Sequence, residues 1–229
     1  EPFIEMLSNF KSFDTFNAQV KNVVEIQKDD MLQWIEQTKH RQIIISIHSN
    51  DAQANTNDFD TSVFSALSDE LDVVLCVFGD EKVLKSINTQ KVDAIVLGLE
   101  NHRIAQDRVA QLLVGAISLH GMNNHTVISN DELFLAGTEY NLQSTAILKF
   151  ALPEELGIES ARLTEIDRIV ENGIKKGAFP GCQIVVAVEG NVIYRKSFGT
   201  HTYEDRDSVA NDDVYDIASV SKIAGSTIG

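Results

Sequence analysis

Three short apolar runs constrain this chain more than anything else in it. "QIIISIH" (42 to 48), "LDVVLCVF" (71 to 78) and "VDAIVLGL" (92 to 99) are almost unbroken in aliphatic and β-branched residues. That composition suits strands buried on both faces of a parallel sheet, not strands with one wet face. Parallel neighbours need crossovers, and amphipathic stretches supply them. Met31 to Lys39, Asp60 to Ser68 and Glu81 to Ile87 read as helices, and Ile104, Ala105, Val109, Leu112 and Leu113 lay an apolar stripe along another. "VVEI" at 23 to 26 reads as one further strand. The pattern predicts an α/β fold, an open and mostly parallel α/β/α sandwich, over residues 1–150.

After residue 150 the rhythm changes. "LPEELGI" carries a Pro and a Gly and suits a connection between domains. A helix follows from Ser160 to Lys175, with Leu163, Ile166, Val170 and Ile174 on one face. "CQIVVAVEGNVIYRKSFG" then reads as two strands of a β-hairpin joined at Gly190-Asn191 in a type II′ turn. A helix followed by an antiparallel hairpin is no further α/β repeat, so residues 151–229 form a second, α+β region. No internal repeat or low-complexity stretch is present.

At 229 residues, with 43% hydrophobic and 23% charged side chains, the chain has the composition of a globular protein able to bury a core. No apolar run approaches the roughly 18 residues of a membrane span. The formal charge of −15 is spread as −10 over residues 1–150 and −5 over the rest, which argues against nucleic acid and anionic lipid as partners. The two cysteines, Cys76 and Cys182, lie in apolar runs without a basic neighbour and read as buried thiols, not as a disulfide framework. The opening "EPFIEML" has neither a charged n-region nor a cleavage site, so no targeting signal is expected in this chain, and its compartment stays open.

Chemistry is suggested by one step, Ser219-Val-Ser-Lys222 in "YDIASVSKIAGSTIG". A bare S-x-x-K pattern is weak: "SNFK" at Ser8 to Lys11 matches it too, within an amphipathic stretch (Phe3, Ile4, Leu7, Phe10) where Ser8 reads as helix surface. Around Ser219 the context differs. The acidic loop "EDRDSVANDD" and the apolar approach "VYDIAS" lead into helix-compatible residues, which places Ser219 at a helix start and Lys222 one turn on. There the backbone N–H groups favour a developing anion, and a buried lysine, its pKa lowered by desolvation, could accept the hydroxyl proton. On spacing alone Ser219 is equally compatible with a plain N-cap worth about 1 kcal/mol.

The stretch "PGCQIVVAVEGNVIYRKSFGTHTYEDRDSVANDDVYDIASVSK" resembles the N-terminal part of the serine β-lactamase superfamily, nearest to class C β-lactamases, penicillin-binding proteins and related esterases. The resemblance covers residues 153 to 229 and implies that Ser219 is the acylated nucleophile, Lys222 the partner that activates it, and the Ser219 N–H one half of an oxyanion hole. The Tyr-x-Asn and Lys/His-Thr/Ser-Gly steps of that family find no counterpart after Lys222, and Tyr215, which precedes the serine, reads as core packing. The expectation is therefore a fragment of a catalytic domain whose hairpin has unpaired edges.

Residues 1 to about 145 resemble the C-terminal α/β sandwich of glycoside hydrolase family 3, in particular bacterial β-N-acetylglucosaminidases with a serine-hydrolase domain fused behind. "IIISIH", "VVLCVFGDEKVL" and "NHRIAQDRVAQLLVGAISLHG" carry the likeness, while "GMNNHTVI" departs from it by lacking a proline. The resemblance implies an upstream catalytic barrel in the parent protein and a carbohydrate or peptidoglycan-derived substrate, in a periplasmic or cell-envelope setting. No glycosidase residue carries over, since nothing in the spacing selects a carboxylate pair. Asp51, Asp58 and Asp60 lack the Gly and Glu of a calcium loop and read as a solvated loop. His40 with His48, or His120 with His125, form no metal set, so neither metal nor cofactor is expected.

The leading expectation is part of a two-activity hydrolase, with no complete site in this chain alone. A non-catalytic module supporting a neighbouring glycosidase barrel is the alternative. A flavodoxin-like cofactor binder is disfavoured because no Gly-rich phosphate loop follows any strand.

Overall fold

The computed structural model describes residues 2–10, 14–15, 24–48, 62–67, 69–124, 126–129, 132–144, 148–204 and 206–223, and the chain divides into two compact units, Glu1–Ala146 and Ile147–Gly229. The first unit is built on β1 (Gln42–His48), β2 (Asp72–Phe78) and β3 (Ala94–Leu97), three parallel strands in chain order. Ile45 pairs with Leu75 and Leu75 with Ile95, so the three apolar runs lie side by side. Mixed helices and strands around a small parallel sheet are the observed class, and no barrel closes among the described residues.

Alternation along β2 decides where the helices go. Val73, Leu75 and Val77 point to one face, against α2 (Val24–Thr38), α3 (Ser62–Ala66) and the 3₁₀ segment Glu81–Ser86. Val74, Cys76 and Phe78 point to the other, against α1 (Pro2–Ser8) and α4 (Arg103–Leu113). Cys76 is fully buried, and that burial pushes its thiol up to about 12, so it is an inert core residue; the half-buried Cys182 thiol is raised for the same reason.

Several local expectations need correction. Val24 to Ile26, expected as a strand, begin α2: a short β-branched run carries no periodicity of its own, and the segment propagates the helix that Met31, Leu32 and Ile35 dock on the core. The helix expected from Glu81 to Ile87 is the 3₁₀ segment Glu81–Ser86 instead of an α-helix, capped by the Asp80 carboxylate on the Lys82 N–H at 3.0 Å. Leu84 and Ile87, three apart, are both buried, which matches three residues per turn. The helix expected from Asp60 to Ser68 is observed as Ser62–Ala66, and Asp60 and Ser68 lie outside the described residues. β1 is not buried on both faces throughout, since Ile44 is 40% exposed.

Beyond α4, β4 (Leu119–Met122) and β7 (Glu139–Leu142) form one antiparallel ribbon, and β5 (Val127–Ser129) and β6 (Glu132–Phe134) another. Val127 and Phe134 join the core of the first unit. The buried Ser129 hydroxyl is satisfied by Thr89 Oγ1 at 3.0 Å.

In the second unit β8 (Lys149–Phe150) runs parallel to the start of β10 (Asn191–Gly199), and β9 (Gly181–Val188) pairs antiparallel with β10. The expected bare hairpin edge on β10 is thus covered over two residues. The turn is centred on Glu189-Gly190, both at positive φ (50° and 75°), with Asn191 already paired to Val188. Two consecutive left-handed residues make it a type I′ geometry, not the expected II′ at Gly190-Asn191. Helix α5 (Ser160–Lys175) lies against β10 through Asp167, whose Oδ1 accepts from Tyr194 Oη at 2.5 Å and pairs with Lys196 Nζ at 3.0 Å. Those two contacts hold the Asp167 carboxyl below its ordinary range, while burial, and then Asp167 itself, push the Tyr194 hydroxyl well above its own. Among the described residues no helix is long and apolar enough to cross a membrane.

Two substitutions test this architecture. At Gly199 (φ 68°) a Cβ would drive into the Pro180 carbonyl oxygen and sit 2.9 Å from Gly181 Cα, whereas at Gly190 (φ 75°) it would meet nothing. Gly190→Ala is expected to cost about 1 kcal/mol of left-handed strain and Gly199→Ala roughly 3 kcal/mol or more in chemical denaturation of the second unit. Asp107 is buried on α4, and burial holds its carboxyl above the ordinary range more strongly than Arg103 draws it down. A raised folded-state pKa stabilises at low pH, and that stability is lost as pH rises through the raised value from about pH 4 upward. Asp107→Asn is therefore expected to flatten the decline, read as the urea midpoint from the fluorescence of Trp34, the single tryptophan.

Candidate functional site

The hairpin presents two chemically different faces. Tyr194 and Lys196 point to α5, and the intervening residues Arg195 and Ser197, with Gln183 across from Ser197, hold the following loop. Arg195 Nη2 donates to the Asn211 carbonyl at 2.7 Å and Ser197 Oγ to Asn211 Oδ1 at 2.5 Å. Gln183 Nε2 donates to the carbonyls of Ala210 and Asp213, the second at 3.1 Å. Val209 is buried, and its N–H donates to the Gly199 carbonyl at 3.0 Å, fastening the loop where β10 ends. Asp213 completes the clamp: Oδ2 accepts the Ala210 N–H at 2.7 Å and lies 3.2 Å from His201 Nε2.

From this anchor the chain runs through Val214 to Ile217 into a helical turn over residues 220–223. Ser219 sits immediately before that turn, and the Lys222 N–H donates to its carbonyl at 3.2 Å. The side chains meet, with Lys222 Nζ donating to Ser219 Oγ at 3.3 Å. Asp216 Oδ1 accepts the Ala218 N–H at 2.7 Å, and Ser221 Oγ donates to the Ala218 carbonyl at 2.6 Å. A hydroxyl beside an amine on one turn is an arrangement in which the amine, once neutral, can take the hydroxyl proton as the oxygen attacks a carbonyl.

Two expectations about this site are corrected. Lys222 is exposed, not buried as expected. Tyr215, expected in the core, is 48% exposed, and its neighbours Val214 and Ile217 are exposed with it. Gln183, Asn211, Asp213 and Asp216 were not singled out by sequence reasoning. The one signal was Asp216 two residues before Ala218, the spacing of a side-chain-to-backbone Asx turn.

The other candidates remain apart from this site. Ser8 Oγ donates to the Ile4 carbonyl at 2.8 Å on α1, and Lys11 lies outside the described residues, as do Asp51, Asp58, Asp60 and His125. His40 Nε2 lies 2.9 Å from Asp14 Oδ2. His48 stacks on Phe78 and its Nδ1 lies 3.0 Å from Asn101 Oδ1, while His120 is on β4. Among the described residues no group of three or more His, Cys, Asp or Glu could hold a metal ion. No family model, curated protein or solved structure matches the chain.

The clamp makes a direct prediction. Asp213→Ala should remove protection of the Ala210 amide, raising its hydrogen-exchange rate about tenfold or more while amides within β9 and β10 keep theirs; equal protection in both proteins would show that the loop is held without the carboxylate.

Proposed function

We propose that the second unit carries the nucleophile segment of a serine acyl hydrolase of β-lactamase type, and that the first is a supporting α/β/α sandwich of the family 3 glycosidase C-terminal kind. The observation that carries the reading is the 3.3 Å contact between Lys222 Nζ and Ser219 Oγ on a turn that the hairpin clamp leads into. In the proposed reaction Ser219 Oγ attacks an acyl carbonyl as its proton passes to the neutral Lys222 amine. The leaving group departs with a proton returned from that amine, and water then hydrolyses the ester on Ser219. The covering of β2 from two sides supports the sandwich reading of the first unit.

The substrate class proposed is an acyl derivative from the bacterial cell envelope, peptidoglycan or its fragments, with the parent protein adding β-N-acetylglucosaminidase activity from a barrel upstream. That pairing rests on the sequence resemblance alone. Exposure of both Ser219 and Lys222 supports a further point: a working site needs additional groups to desolvate the amine and complete the oxyanion hole. The same exposure favours the second reading, a non-catalytic module beside a glycosidase barrel.

Expression along the complete coding sequence, with and without Ser219→Ala, separates the two. Under the first reading cleavage of a β-lactam, a D-amino-acid peptide or a short ester falls at least a hundredfold in the variant; under the second the two proteins behave alike. The 229-residue chain by itself is expected to show no turnover of a chromogenic β-lactam or short-chain ester.

A further inference from the structure

Ala218 stands immediately before Ser219 with φ at 43°, one of four non-glycine residues at positive φ among the described residues. The others are Lys39 just past α2, Leu99 just past β3, and Glu189 in the hairpin turn. A left-handed backbone is unfavourable for a residue with a Cβ, so it persists only where neighbours hold it. Both backbone polar groups of Ala218 are engaged. Its N–H goes to Asp216 Oδ1 at 2.7 Å, and its carbonyl accepts Ser221 Oγ at 2.6 Å and the Ser221 N–H at 3.2 Å. The Val220 N–H donates to the Ile217 carbonyl at 2.9 Å, closing a four-residue turn with Ala218 and Ser219 at its centre.

We propose that Asp216 is the positioning residue of the Ser219–Lys222 pair: by taking the Ala218 N–H, its carboxylate holds the left-handed backbone that turns Ser219 Oγ toward Lys222 Nζ. The inference rests on the reading of Ser219 as nucleophile. The segment is exposed, so water competes for every backbone group in it. The Asp216 side-chain oxygen meets that competition by being local, held two residues from the N–H it accepts. Lys222 depends on the same peptide at one remove, with its own N–H on the Ser219 carbonyl and its amine on the Ser219 hydroxyl. Asp213 and Asp216 thus divide the work: the first ties the loop to the hairpin, and the second sets the backbone one residue before the serine.

The experiment is solution NMR on the 229-residue chain and its Asp216→Ala and Asp216→Asn variants. It reads the φ-sensitive couplings of Ala218, the exchange rate of the Ala218 amide, and the nuclear Overhauser contact between Ser219 Hβ and Lys222 Hε. In Asp216→Ala the positive-φ signature and the Ser219–Lys222 contact are expected to vanish and amide exchange to rise about tenfold or more, with β9 and β10 unchanged. Asp216→Asn, which keeps an oxygen acceptor, should retain all three signals. Persistence of the left-handed Ala218 and of the contact in Asp216→Ala would overturn the proposal, as would an Asn variant that behaves like the Ala variant. Hydrolysis surviving Ser219→Ala in the longer protein would remove the catalytic reading and leave these signals in place, so the two ideas fail separately.

Discussion

The first unit depends on the burial of β2 from both sides. Val73, Leu75, Cys76, Val77 and Phe78 are all at or below 1% exposure, and successive side chains point in opposite directions. No single layer can satisfy such a strand. Each large apolar side chain buried contributes roughly 1.5–3 kcal/mol, so leaving either face open would forfeit several of these contributions at once. The chain answers with α2, α3 and a 3₁₀ segment on one face and α1 with α4 on the other. The approach of α1 to α4 follows from this demand, and with it the placement of polar groups between them: Gln106 is buried because Phe3 is, and its Oε1 accepts the Phe3 N–H at 3.2 Å.

The second unit uses a sheet differently. One face of the hairpin is bound to α5 through Asp167, Tyr194 and Lys196, and the other carries Gln183, Arg195 and Ser197, which hold a loop through directional hydrogen bonds. Apolar packing tolerates small slides, whereas a hydrogen bond near 2.7 Å specifies where its acceptor sits. A polar clamp is therefore the appropriate device for delivering a particular serine to a particular place. The apolar residues that follow, Val214, Ile217, Val220 and Ile223, are more than half exposed, so the start of the segment is set by the clamp and not by burial of these four.

What could be read in advance varied with the kind of signal. The strands Gln42–His48 and Asp72–Phe78 and the helix Ser160–Lys175 follow their patterns closely, since long periodic or uniformly apolar runs have one way to hide themselves. The start of α2 is not legible in the sequence, because the four β-branched and charged residues Val23 to Ile26 fit either period. The ribbons β4–β7 and β5–β6 were not foreseen: strands of three or four residues lie below the length at which alternation can be recognised. The hairpin was foreseen but its turn was displaced by one residue, because Glu189 at positive φ is unfavourable locally and is imposed by the pairing of Asn191 with Val188.

The candidate site divides along the same line. Spacing alone put Ser219 and Lys222 on one turn, since residues three apart on a helical turn are neighbours whatever surrounds them. Their exposure, the grip of Gln183 and Asp213 on the preceding loop, and the left-handed Ala218 held by Asp216 came only with the folded chain. Local order is written in neighbouring residues and can be read there. Burial and long-range hydrogen bonding join residues tens of positions apart, such as Gln183 and Asp213, and those partners are chosen only when the sheet has formed.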